Sequence, residues 1–213
     1  SISFTPRRSA VRSRQQALDV MAMTDVKDYI KIFNFDKEVA SRIVDRYTKS
    51  DWESHSWADG VTEDKGWKFS TFETSEPQVH WPHNDEDLLQ IVRNAVEEYQ
   101  DFVNYEIYKR DPGLRIVDKF SPPRLNSYGP NDMMRYHVDH IHTIWASDEH
   151  GIPALSMVGC LNDDYEGGEF VVCDKEYKLK CGEIICFPSC FMYPHEVKPV
   201  TKGIRRTFVC WGW

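Results

Sequence analysis

The sequence predicts an α+β fold, with a double-stranded β-helix (jelly roll) core and supporting helices from the N-terminal half. Three observations point there. Apolar residues recur at helical spacing only before about residue 120, and after it short runs rich in Val, Ile, Phe and Cys alternate with turn signals. The chain has 213 residues, 41% of them apolar and 13% aromatic, ample for one well-filled core and short for two. A single domain over 1–213 is therefore expected, with a loose N-terminal arm (1–25), helices and flanking strands (26–120) and the jelly roll (121–213).

In chain order, Asp36 is the expected N-cap of a helix over Lys37–Tyr47, whose Val39, Ile43, Val44 and Tyr47 fall on one face. Asn84 is the expected cap of a longer helix. Asp85, Glu86 and Asp87 suit the positive end of its dipole, and Leu88, Leu89, Val92, Ala95, Val96, Tyr99, Phe102 and Val103 keep its period. Segments 29–35 and 67–72 alternate as half-buried strands do. From Arg124 onward, Gly129-Pro130, Gly151-Ile152-Pro153, Gly167-Gly168, Cys181-Gly182, Pro188-Ser189 and Lys202-Gly203 punctuate regularly spaced strands, which suits a jelly roll.

Composition narrows the function. A net charge of -8 opposes non-specific attraction to nucleic acid or an anionic bilayer, and the basic run Arg7, Arg8, Arg12 and Arg14 reads as a solvated tail. No apolar stretch reaches the length of a membrane span, and the start lacks a secretory h-region, so a soluble cytoplasmic protein is expected. The cysteines Cys160, Cys173, Cys181, Cys186, Cys190 and Cys210 show no Cys-x-x-Cys spacing and read as reduced, mostly buried thiols.

The chemistry concentrates in Tyr136-His137-Val138-Asp139-His140-Ile141-His142. On a strand, side chains two apart share a face, so His137 and Asp139 point one way and His140 and His142 the other. Either pair can be the ligands from spacing alone. A third ligand must come from another strand, and His195 lies 56 residues after Asp139. Two imidazoles and one carboxylate make the facial triad that suits Fe(II) and leaves positions open. His55, His80, His83 and His150 sit among polar residues and are expected at the surface. Arg205, ten residues after His195, follows a turn at Pro199 and Gly203 and returns on the last strand; a buried guanidinium there calls for a carboxylate. Arg206 should face the other way. Tyr128, nine residues before His137, offers a phenol to the same pocket or a plain core ring.

These residues resemble the 2-oxoglutarate/Fe(II)-dependent oxygenase superfamily, in its prolyl 4-hydroxylase-like branch of short bacterial and phage members. The likeness runs from about Arg124 to Trp213. It rests on Asn126-Ser127-Tyr128, His137-x-Asp139, Leu161-Asn162-Asp163 followed by Gly167-Gly168-Glu169-Phe170, the Gly182 to Ser189 strand, and His195-Glu196-Val197-x-Pro199-Val200-Thr201-x-Gly203-x-Arg205. The resemblance implies that His137, Asp139 and His195 bind iron, that Arg205 and Tyr128 hold 2-oxoglutarate, and that Trp211 lines the substrate side. The implied cofactors are Fe(II), 2-oxoglutarate and O2, with ascorbate as a further expectation. The implied reaction hydroxylates an unactivated C–H of a prolyl residue in a peptide or protein, releasing succinate and CO2. A small molecule or free amino acid is the alternative substrate, and a non-catalytic metal-binding module the alternative outside enzymes. Asp139 implies hydroxylation over halogenation. Two departures stand out: Cys160 occupies a position that is tyrosine in some prolyl hydroxylases, implying a smaller or drier pocket, and Met134 replaces an aromatic residue.

Overall fold

The computed structural model describes residues 25–55, 77–109, 115–139 and 152–213. The arginine-bearing arm, the strand expected over 67–72, and His140, His142 and His150 lie outside them.

Asp25 caps a 3-10 turn (Val26–Tyr29), so the expected strand over 29–35 shortens to β1 (Lys31–Asn34). Helix α1 (Lys37–Tyr47) starts as its sequence signal requires, with the Asp36 carboxylate accepting the Glu38 N–H at 2.8 Å. Two short strands follow, β2 (Glu53–Ser54) and β3 (Gln78–His80), then α2 (Glu86–Asp101). The cap of α2 is Asp85 and not the expected Asn84. Asn84 takes a left-handed φ of 51°, tolerable for Asn, and the Asp85 carboxylate reaches the Leu88 N–H at 3.0 Å. The helix then widens into a π-helical segment (Phe102–Ile107) that buries Phe102, Val103 and Asn104.

The second half is strand-rich: β4 (Arg124–Tyr128), β5 (Met134–His137), β6 (Leu155–Cys160), β7 (Tyr165–Gly167), β8 (Phe170–Val172), β9 (Lys175–Tyr177), β10 (Glu183–Pro188), β11 (His195–Val197), β12 (Val200–Gly203) and β13 (Arg205–Gly212). Every pairing is antiparallel. A seven-stranded sheet runs β1-β10-β6-β13-β4-β3-β2, a four-stranded sheet runs β5-β11-β8-β9, and β12-β7 form a ribbon. The N-terminal half thus supplies helices and also three edge-side strands of the larger sheet.

Strand alternation sorts the side chains into two cores. Phe208 and Cys210 join Ile43, Leu88, Val92 and Ile184 in the core against the helices, whereas Val209 and Trp211 join Tyr128, Phe170, Val172, Ile185 and Phe187 in the other. All six cysteines are free thiols, four of them buried, as the spacing predicts. Among the described residues, no helix is long and apolar enough to cross a membrane.

Candidate active site

His137 ends β5 and His195 begins β11, directly opposite each other across the ladder, with ring centroids 4.2 Å apart. The expected strand through Asp139 stops at His137, yet the carboxylate still converges on both rings: its Oδ1 lies 3.7 Å from His137 Nε2 and 3.6 Å from His195 Nε2. Each Nδ1 faces a main-chain carbonyl two residues back, Arg135 at 2.6 Å and Tyr193 at 3.0 Å. A carbonyl only accepts, so each Nδ1 carries a proton and each Nε2 is the nitrogen left to face the carboxylate. With Nε2 unprotonated, the two imidazoles and the carboxylate offer three donor atoms to a metal ion. The ligating atoms lie within 4.8 Å of one another, which fits a single divalent ion. Burial and then the neighbouring His195 push the His137 pKa down to about 4. Burial works against the Asp139 charge, but His195 and the Ser156 hydroxyl hold its carboxyl well below the usual range. Ser156 donates to Asp139 Oδ2 and is itself 2.6 Å from the Ser189 hydroxyl, so a serine pair fixes the carboxylate.

Arg205 is 1% exposed, the largest fully buried side chain among the described residues. It stands opposite Tyr128 in the β13–β4 ladder, its guanidinium 5.1 Å from the centre of that ring. Its Nε and Nη1 are buried without a hydrogen-bond partner. An unpaired buried cation costs several kcal/mol, and these free donors have the geometry to bind a carboxylate. Gly168 makes room for it: a Cβ there would meet Arg205 Cδ at 2.8 Å and Val200 Cγ2 at 3.0 Å, and φ is +66°. Arg206 points away, as alternation demands. Its N–H donates to Asn162 Oδ1 at 2.7 Å while Asn162 Nδ2 donates to the Ile204 carbonyl at 2.7 Å, so the Leu-Asn pair pins the start of β13.

Tyr165 went unnoticed in the sequence. The β7–β12 ribbon folds it back until its phenol is 3.6 Å from Cys160 Sγ, beside Arg205. Burial raises the pKa of both Tyr128 and Tyr165, and the nearby guanidinium pulls each back. A phenol therefore reaches the space that Cys160 leaves. The available signal was an aromatic residue beside the glycine pair. Ser156 carried no local signal, and Ser189 only that of a turn after a strand. Trp211 is half-buried on the same strand face as Arg205, opposite Ser156 in the β13–β6 ladder, and so stands near Asp139. Met134 is buried in the core around Tyr128. Of the histidines expected at the surface, His83 is exposed, whereas His80 packs 5.2 Å from the Tyr47 ring and 5.8 Å from the Trp52 ring.

Residues 123–213 match the family model of the 2OG-Fe(II) oxygenase superfamily. A PKHD-type hydroxylase of Xylella fastidiosa (strain M12) is 37% identical over 101 residues, 42% of this chain and 43% of the relative. One of Stenotrophomonas maltophilia (strain R551-3) is 35% identical over 99 residues, 44% of this chain and 43% of the relative. The match thus spans less than half the length of these curated relatives. Among solved structures, a Trichoplax adhaerens prolyl hydroxylase in complex with a hypoxia inducible factor peptide fragment has a TM-score of 0.62 at 14% identity, covering 97% of this chain and 94% of that one. A Pseudomonas putida prolyl-4-hydroxylase has a TM-score of 0.59 at 16% identity, covering 88% and 95%. The fold is theirs, and the sequence of 123–213 is similar to that of the 2OG-Fe(II) oxygenase superfamily.

Proposed function

We propose that this chain is a 2-oxoglutarate- and Fe(II)-dependent dioxygenase that hydroxylates an unactivated C–H, with a prolyl residue of a peptide as its substrate. One observation carries the reading: two imidazoles and the Asp139 carboxylate converge, and the core that flanks them, with Phe170 on His195 and Tyr128 on Arg205, also meets a buried guanidinium with unpaired donors. Iron, 2-oxoglutarate and dioxygen together supply the oxidant that turns C–H into C–OH, with succinate and CO2 as co-products. His137, Asp139 and His195 would hold the metal, with the Ser156–Ser189 pair keeping the carboxylate aligned. Arg205 would clamp the distal carboxylate of the co-substrate, and the phenols of Tyr128 and Tyr165 would complete its hydrogen bonds. Phe170 and Phe187 pack on the His195 ring and would keep water from that side of the metal, which would protect the chain from unproductive oxidation. The prolyl hydroxylases among its structural neighbours support a peptidyl proline as the substrate.

Anaerobic titration with Fe(II) and 2-oxoglutarate tests this. Wild type should develop a weak visible charge-transfer band, His137→Ala should lose it, and Arg205→Ala should weaken 2-oxoglutarate binding at least about tenfold. Wild-type behaviour in both variants would overturn the assignment.

A further inference from the structure

A second guanidinium lies on the metal-facing side of the larger sheet, and the proposed reaction leaves it without a task. Strand period puts Arg124, Asn126 and Tyr128 on one face of β4. Tyr128 stands opposite Arg205 and Arg124 opposite Val209, so the two arginines occupy one ladder four residues apart, about 13 Å at the usual strand rise. Arg124 lies over two indoles, with its guanidinium carbon 5.7 Å from the Trp81 ring centre and 5.4 Å from that of Trp211. Its Nε donates to Asn126 Oδ1 at 3.0 Å, and among the described residues no ion pair engages it.

Those indoles shield the charge from solvent without neutralising it. Trp211 leads from this guanidinium toward the proposed metal ligands: the indole stands opposite Ser156, whose hydroxyl donates to Asp139, and the Asp139 charge in turn favours the charge on Arg124. A bound divalent cation takes up the Asp139 charge, leaving Arg124 as a partly accessible cation in a chain whose net charge of -8 otherwise repels anions. A planar fork held by one hydrogen bond and two rings retains N–H groups that match a carboxylate.

We propose that Arg124 receives a carboxylate of the substrate, so that Arg205 and Arg124 divide two carboxylates between them, one from the co-substrate and one from the molecule to be hydroxylated. The inference rests on the oxygenase reading and sharpens its substrate class to a proline-bearing acid. That carboxylate has three sources: free L-proline, the C-terminus of a peptide, or an acidic side chain next to an internal proline.

The test is equilibrium binding to the full chain loaded with Mn(II) and 2-oxoglutarate, which does not turn over, read by tryptophan fluorescence and calorimetry. Acid and amide probes are compared in pairs: L-proline with L-prolinamide, N-acetyl-glycyl-proline with its amide, and a capped Pro-Asp peptide with its Pro-Asn counterpart. At least one acid should bind about tenfold or more tighter than its partner, and the pair that does so identifies the source. Arg124→Gln should abolish that preference, and Arg124→Lys should restore part of it. The melting temperature and 2-oxoglutarate affinity of each variant report whether the pocket stays folded. Equal binding within all three pairs, or a preference that survives Arg124→Gln, overturns the proposal alone. Failure of the Mn(II)-loaded chain to bind 2-oxoglutarate overturns the oxygenase reading and this proposal with it.

Discussion

Gly168 shows how one missing methyl group shapes the site. Its left-handed backbone disfavours any side chain by about 1–2 kcal/mol, and a Cβ would press on Arg205 Cδ at 2.8 Å. Gly168→Ala should therefore destabilise the chain by about 1–3 kcal/mol in urea and weaken 2-oxoglutarate binding, because the guanidinium must move. Gly129→Ala, which meets only Asp132 Oδ2 at 3.4 Å, should stay within about 0.5 kcal/mol and leave that binding alone. Equal effects of the two would show that the close approach to Arg205 is unimportant. At this scale, the convergence of His137, Asp139 and His195 was only partly legible: strand period left His140 and His142 equally open, and the family resemblance, not spacing, singled out the three and Arg205. Tyr165, Ser156 and Arg124 were not legible, because each acquires its meaning from a partner on another strand: Cys160 and Arg205, Asp139, and the two indoles.

Between elements, Asp85 joins the two helices that back the larger sheet. Its carboxylate caps α2 through the Leu88 N–H and, from α1, accepts the Tyr47 hydroxyl at 2.7 Å and the Arg46 guanidinium. Arg46 and Arg42 also pair with Asp87. Burial works to raise the Asp85 pKa, but the Leu88 N–H, Tyr47 and Arg46 overcome it and hold the carboxyl below its ordinary value. A folded pKa below the unfolded value of about 3.9 contributes stability above that pH, and the contribution is lost as pH falls through the folded pKa. Asp85→Asn should thus cost about 1–2 kcal/mol near neutrality. Urea unfolding should show this gap narrowing toward pH 3, and a pH-independent gap would remove Asp85 from the acid response. The bounds of α1 were legible because its cap lies next to it in sequence. At α2, Asn84 and Asp85 are both competent caps, and the choice falls to Asp85 because it alone also binds α1.

Across the whole molecule, the candidate site spans both sheets. His137 and His195 belong to the smaller sheet, whereas Arg205 and Tyr128 belong to the larger. Regular turn signals foretold two sheets of short strands, but the order β1-β10-β6-β13 rests on pairings between distant segments, such as Phe33 with Ile184, that no local pattern specifies. Ligands that touch both sheets should stabilise the fold in two separable steps. A metal bound by the triad ties β5 to β11, and a co-substrate reaching from metal to Arg205 then ties that sheet to β13. At a concentration about a hundredfold above its dissociation constant, each ligand adds about 2.7 kcal/mol. For a chain of this size that raises the melting temperature by roughly 5–10 °C. Calorimetry with Mn(II), then Mn(II) plus 2-oxoglutarate, should show both increments in wild type. Arg205→Ala should keep the first and lose the second, whereas His137→Ala should lose both, because without the metal the co-substrate has only one end to hold. A 2-oxoglutarate increment that persists in His137→Ala would mean that the dicarboxylate binds without bridging the sheets.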